Sequence, residues 1–446
     1  MAKKKKRISK PVAAPVAPPV AAPVLAAPPK SRGRRYAEIA AWSAAVFLLY
    51  FFSRVNIGYL VGYFLSPSFQ VPLTHTLDYS LGFLPRVLSG QLLTFFAGGA
   101  MAGPAAGAYF LTLYAVTYGL LSLILGMLIE KALSTKNYLM AMFPLLIIFT
   151  TRSVWFRFFL DKHLDTPMFL FALAAFFLVK NEKRMWFVPV CVCLGIMVSE
   201  SFMLLFFPLV FALLYYEFIK GGRKRTRLYH LTATTASSFA LEVYMLWAPF
   251  HSELVSKYSY AQSIAYLEEK IGRVFTDDPI AAYVSGGVFG KILDGQRFPL
   301  LSINAWSQFD YFKPIFYVFA LLICAPILIF TLTIWRGHMK GEQGFWKKSP
   351  YMLFMLAPMI IFPAFFVFMD MDRLVSAVLL TQVLLLAYVF FADGRNEAFN
   401  RLKELSTGKY RWLLYAAVIL GVIVPLMVFR GTLVLNQAVD LADYYG

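Results

Sequence analysis

Charge is what this sequence has least of. Only 15% of its 446 residues are Asp, Glu, Lys or Arg, and 59% are hydrophobic. Soluble domains carry about a quarter charged residues, so a soluble enzyme or a solvated scaffold is excluded. Acid is scarcer than base, with 24 Asp and Glu against 42 Lys and Arg, a net +18. Such an excess can mark nucleic-acid binding. Here, however, the basic residues sit in the N-terminal tail and in short loops between apolar runs. That is the pattern of cytoplasmic loops, and no nucleic acid is expected as a partner. Cysteine is nearly absent. Cys191, Cys193 and Cys324 all lie inside apolar runs, which excludes a disulfide framework or a zinc site. No cluster of metal ligands is visible, and no cofactor is implied. No Asn-x-Ser/Thr sequon occurs, which speaks against a heavily glycosylated secretory protein. No apolar core follows the basic start closely, so a signal peptide is not expected. Nor is there an internal repeat of the transporter kind.

What is there is a succession of apolar runs. A helical span needs about 20 such residues. The fold expected is all-α, a polytopic protein of about eleven spans with its N-terminus inside and C-terminus outside. Residues 1–36 form a basic, Pro/Ala-rich cytoplasmic tail that cannot build a core and is expected to be disordered. Residues 37–249 make an N-terminal transmembrane region, 250–313 a large polar extracytoplasmic loop, and 314–446 a C-terminal transmembrane region. Spans are expected near 39–60, 108–130, 139–151, 167–179, 186–198, 202–218, 231–249, 314–335, 352–369, 374–392 and 412–429. With this assignment the inner loops are rich in Lys and Arg, and most Asp and Glu fall outside. The location expected is the bacterial cytoplasmic membrane.

The first outer loop carries Asp78 and Arg86 beside a span, where charge is expensive and usually functional. Around Pro85, which suits a first helical turn, the residues Leu84, Leu88, Leu92 and Phe95 recur at helical spacing, while Arg86, Ser89 and Gly90 lie on another side. This predicts a short amphipathic helix lying along the membrane surface. An ion pair that merely anchors the loop would explain the same two charges. The topology brings further charged groups to that outer interface: Arg152, Arg157, Asp161, Asp165, Glu200, Asp370, Asp372 and Arg373. The inner ends carry ordinary basic loops instead.

Arginine forks bind phosphate bidentately and stay charged. A carboxylate beside them can take a proton from a hydroxyl. Glycosyl transfer from a polyprenyl phosphate needs these parts, because its leaving group is already an anionic phosphate. Asp78, Glu200 and Asp165 are the candidate catalytic carboxylates. Arg86, Arg152, Arg157 and Arg373 are the candidate groups for binding the phosphate of the lipid donor. Plainer roles stand beside these. Asp165 precedes Thr166-Pro167 and would serve as a helix N-cap. Glu200 could be a polar turn between two spans, and the arginines interfacial anchors. Asp277-Asp278-Pro279 reads as a turn. Glu242, inside a span, reads as a buried partner of an arginine.

These residues resemble the GT-C class of polytopic glycosyltransferases, which use lipid-phosphate sugars. Members carry an acidic residue in the first outer loop, after the first span, with membrane-parallel helix in that loop. Asp78 and the stretch 87–96 match that plan, and the run from His163 to Lys180 resembles the family's entry into a span, with its acid at Asp165. The chain also resembles bacterial membrane proteins that carry D-x-x-x-G-F-x-x-R, here Asp78 to Arg86. Those proteins have a His-Glu turn before an aromatic span, here Ser199-Glu200, and a late outer acid and arginine, here Asp370 or Asp372 with Arg373. The resemblance implies a hexosyl transferase of the cell envelope. Its partners would be a polyprenyl-phosphate-linked sugar, membrane lipid, and a glycan or other envelope acceptor. A polymerase acting on lipid-linked glycan, or a lipid or glycan flippase, is the alternative. A flippase needs polar groups through the membrane midplane, where this chain is nearly all apolar apart from Glu242.

Overall fold

The computed structural model describes residues 31–52, 87–136, 164–251, 313–360, 371–392 and 411–420, with scattered positions between them. Regular structure among these residues is helical throughout, so the chain is all-α. In chain order the helices are α1 (Arg32–Phe52), α2 (Val87–Ala97), α3 (Gly103–Ser134), α4 (Asp165–Val179), α5 (Val188–Val198), α6 (Phe202–Leu205), α7 (Phe207–Lys220), α8 (Arg225–His251), α9 (Lys313–Gly341), α10 (Phe345–Leu356) and α11 (Met371–Ala392). Single 3-10 turns lead into α5 and out of α10.

Local chemistry sets the boundaries. Pro104, Pro189 and Pro208 stand in the first turns of α3, α5 and α7, where a missing N–H costs nothing. α7 stops at Gly221, and the chain turns back through Gly222 and Arg223 with φ of 75 and 59. The apolar run 202–218 is not one helix. It breaks at Phe206, where φ is −126, just before Pro208.

α11 is the central helix. Every residue from Ala377 to Phe390 is buried, on all sides of the helix, which is the mark of a core or membrane-embedded element. It packs against α9, α7, α3 and α4. α1 lies along α3, α5 lies between α4 and α8, and α2 packs on α3 and α5. The α1–α3 crossing is close because Gly126 has no side chain: a Cβ there would stand 2.6 Å from the Ser43 backbone nitrogen.

Helix ends gather in two sets. At one end Arg35 pairs with Glu130 at 3.2 Å, and Lys131 donates to the Phe390 carbonyl. Lys180 donates to the Phe391 carbonyl at 2.8 Å, and Lys220 pairs with Glu342 at 2.8 Å. The last turns of α3, α4, α7 and α11 and the residue after α9 gather there with the first turn of α1, and Arg227 of α8 joins them on Glu217; it is the basic end. The starts of α4 and α7 and the end of α5 lie at the opposite end.

By length and composition α3 is, among the described residues, the helix able to cross a membrane. Shorter apolar helices surround it, including α2, α4 and the run Met185–Val198. The core is apolar, but some large apolar side chains lie on the surface and some small polar ones lie inside. Leu48, Leu49, Val190, Phe239, Val243 and Trp247 are exposed, while Thr117, Ser122, Thr234, Ser238, Thr331 and Gln382 are buried. Several buried hydroxyls donate to carbonyls one turn back, as Thr234 does to His230 at 2.7 Å and Ser238 to Thr234 at 2.6 Å.

Candidate functional site

The turn between α5 and α6 holds Ser199, Glu200 and Ser201. Ser199 leaves the helix in an extended conformation, with φ of −163, which starts the turn. Its hydroxyl donates to Glu200 Oε2 at 3.3 Å and lies 2.9 Å from the Ser201 hydroxyl. Glu200 is only 8% exposed, so a carboxylate is buried in a short polar turn. Ser201 Oγ reaches Met168 Sδ at 3.7 Å. Met168 lies one turn along α4 from Asp165, so this contact brings the start of α4 beside the Glu200 turn. Asp165 and Thr166 are buried as well.

Asp165 is not the helix cap. Leu164 holds that position, without a side-chain cap bond, and Asp165 is the first helical residue. Its charge there complements the helix dipole. Phe169, Phe202 and Phe206 form a ring cluster behind the turn, with centroids 5.4 and 5.9 Å apart. Phe202 fits because Gly195 lacks a Cβ; a methyl group there would overlap its ring. Glu242, expected to meet an arginine, instead lies within electrostatic reach of the Glu200 carboxylate. One of its oxygens is buried without a hydrogen bond.

The chain matches no protein-family model, no curated protein and no solved structure. The reading of the site therefore rests on its own chemistry.

Asp78, Arg86, Arg152, Arg157 and Asp370 lie outside the described residues, as do Asp161, His163, Asp277 and Asp278. Asp372 and Arg373 belong to the first turn of α11, but their side chains are not described. The structure thus brings the start of α4 beside the Glu200 turn through Ser201 and Met168. Close to Asp78 in sequence, Tyr79 is half-buried, and burial raises its phenol above the ordinary value.

Two polar constellations were not anticipated. His75 is buried, shares a short hydrogen bond with Ser89 through Nδ1, and stands edge-on to Phe110 at 4.8 Å. His75 precedes Asp78 by three residues and Ser89 follows Arg86 by three, and the pair ties His75 to α2 and, through Phe110, to α3. The signal was a lone histidine in the stretch that carries Asp78. The second lies at the basic end, where ordinary loops were expected. Glu217 is buried, accepts from Tyr388 Oη at 2.8 Å and pairs with Arg227 at 2.8 Å. Arg227 also donates to the Glu217 carbonyl.

α2 forms where a short helix was expected. Val87, Leu88, Ser89, Gly90 and Leu93 are buried, and Phe95 is 78% exposed. The buried face mixes Ser89 and Gly90 with three apolar residues, and the aromatics Phe95 and Phe96 are on the outside. Among the described residues, no three His, Cys, Asp or Glu side chains gather as a metal site requires. What the Asp165–Glu200 region offers is one or two carboxylates in an apolar surround. Such groups can accept a proton from a hydroxyl or stabilise developing positive charge.

Proposed function

We propose that the chain is a polytopic membrane glycosyltransferase that transfers a hexose from a polyprenyl phosphate to an acceptor on the extracytoplasmic face. The observation that carries this reading is the placement of two buried carboxylates, Asp165 and Glu200, at the end of the bundle opposite its basic residues. A basic end is the cytoplasmic end by the charge rule, so the carboxylates face outward. The exposed apolar faces of α1, α5 and α8 fit a lipid surround, which supports the multi-pass reading. In this reading α2 lies along the outer interface with Phe95 and Phe96 toward the acyl chains.

One carboxylate takes the proton from the attacking hydroxyl, and the donor phosphate leaves as an anion. Arg86, Arg152, Arg157 and Arg373 are the proposed phosphate-binding groups, and Asp78 is the third proposed carboxylate.

The test is transfer by the purified chain from a polyprenyl-phosphate-linked hexose. Glu200→Gln and Asp78→Asn are each expected to abolish transfer while the protein still accumulates in the membrane. Asp165→Asn is expected to reduce it by about 100-fold. Full activity in all three variants would overturn the assignment.

A further inference from the structure

The turn between α7 and α8 and the first turn of α10 form an exposed basic face. Arg223, Lys224, Arg225 and Lys347 are exposed on it. So are three aromatics: Phe345 at 65%, Trp346 at 52% and Tyr229 at 46%. The Arg223 guanidinium stands over the Trp346 ring at 4.6 Å, and that of Arg225 over Tyr229 at 5.4 Å.

The nearby carboxylates are occupied. Glu182 accepts from Thr226 at 2.8 Å and lies 3.9 Å from both Lys224 and Arg227. Glu217 is taken by Arg227 and Tyr388, and Glu342 by Lys220. Arg223 and Arg225 meet aromatic faces and, among the described residues, no carboxylate. Two arginines are therefore held in place by rings, with their charge unneutralised.

We propose that this face seats the phosphate of an anionic phospholipid of the cytoplasmic leaflet. The proposal rests on the reading of the bundle as membrane-spanning. Rings of this size are costly to expose to water in one patch and belong at the head-group level of a bilayer. A guanidinium lying on a ring keeps its N–H edge open, and that edge matches two phosphate oxygens. The rings set the depth and the arginines select the charge. Lys224 and Lys347 add attraction without a fixed geometry.

The full chain is incorporated into vesicles of equimolar phosphatidylglycerol and phosphatidylcholine and then extracted in neutral detergent, and the retained lipids are counted by mass spectrometry. The wild-type chain is expected to retain phosphatidylglycerol several-fold over phosphatidylcholine. Arg223→Gln with Arg225→Gln is expected to lower that ratio by about fivefold or more, since each basic residue near an anionic surface contributes on the order of 1 kcal/mol. Unfolding temperatures of the two proteins in lipid-free detergent should agree. An equal ratio in the two proteins overturns the proposal, and so does parity in the wild-type chain. Displacement of the lipid by free glycerol phosphate at equal concentration also overturns it, because the seat would then take a soluble phosphate. Failure to enter vesicles of either lipid would defeat the membrane reading itself, whereas entry with no head-group preference defeats only this inference.

Discussion

A methyl group at Gly107 would fall on the carbonyl oxygen of Phe64. Backbone cannot swing aside as a side chain can. Gly107→Ala is therefore expected to lower stability by about 1–3 kcal/mol, read as a lower unfolding temperature in detergent. Gly195→Ala meets only the Phe202 ring and should cost less, because a ring can rotate away. Asp165 and Glu200 were legible in the sequence as carboxylates at the edges of apolar runs. The meeting of their two segments was not, because it depends on Met168 touching Ser201, a contact that no local pattern encodes. Glu217 was passed over for the same reason: Tyr388 lies 171 residues away in the chain.

At the scale of helices, Glu217, Arg227 and Tyr388 join α7, α8 and α11. Arg227→Met leaves a buried carboxylate without its cation. The expected loss is roughly 3–5 kcal/mol, measured by chemical denaturation in detergent. Tyr388→Phe removes one bond to a charged group and should cost less, about 1.5–3 kcal/mol. The α4–α5 connection is tied to α8 through Glu182. Its hydrogen bond from Thr226, then the Lys224 and Arg227 charges, hold its carboxyl below the ordinary 4.5. A lowered carboxyl stabilises the fold above its unfolded value and loses that contribution as pH falls through the folded value. Local protection of α8's first turn from hydrogen exchange is therefore expected to weaken below about pH 4.5, and Glu182→Gln should abolish that dependence. Helix positions were largely legible from apolar runs and from prolines and glycines. The break at Phe206 was not, because it falls inside a continuous apolar run.

For the molecule as a whole, the asymmetry of charge was the most legible feature; Arg35, Lys131, Lys180 and Lys220 gather at one end, but Glu130, Glu217 and Glu342 stand there with them. If the bundle crosses a membrane, its two ends are separated by the bilayer. Ala102, exposed at the start of α3, and Lys183, exposed beyond α4, lie at opposite ends. In a chain with its native cysteines replaced, Ala102→Cys should react with an impermeant maleimide from outside, and Lys183→Cys only after the membrane is opened. Labelling of both from one side would defeat the topology.

If the bundle crosses a membrane, the lengths of α3 and α4 have a consequence for the bilayer itself. Both helices end on α11, through Lys131 at Phe390 and Lys180 at Phe391, so they start from one plane. At 1.5 Å per residue, α3 rises about 42 Å from that plane and α4 about 22 Å. Hydrocarbon is about 30 Å thick. With the basic plane at its inner boundary, α3 stands out into water, while Asp165 and the Glu200 turn lie roughly 8 Å short of the outer boundary. Lipid beside α4 must thin, or water must dip, to meet them. Under the proposed transfer, a carrier moving within the leaflet would arrive at these carboxylates from the side, along a recess in the membrane surface that a sugar donor dissolved in water would have to descend.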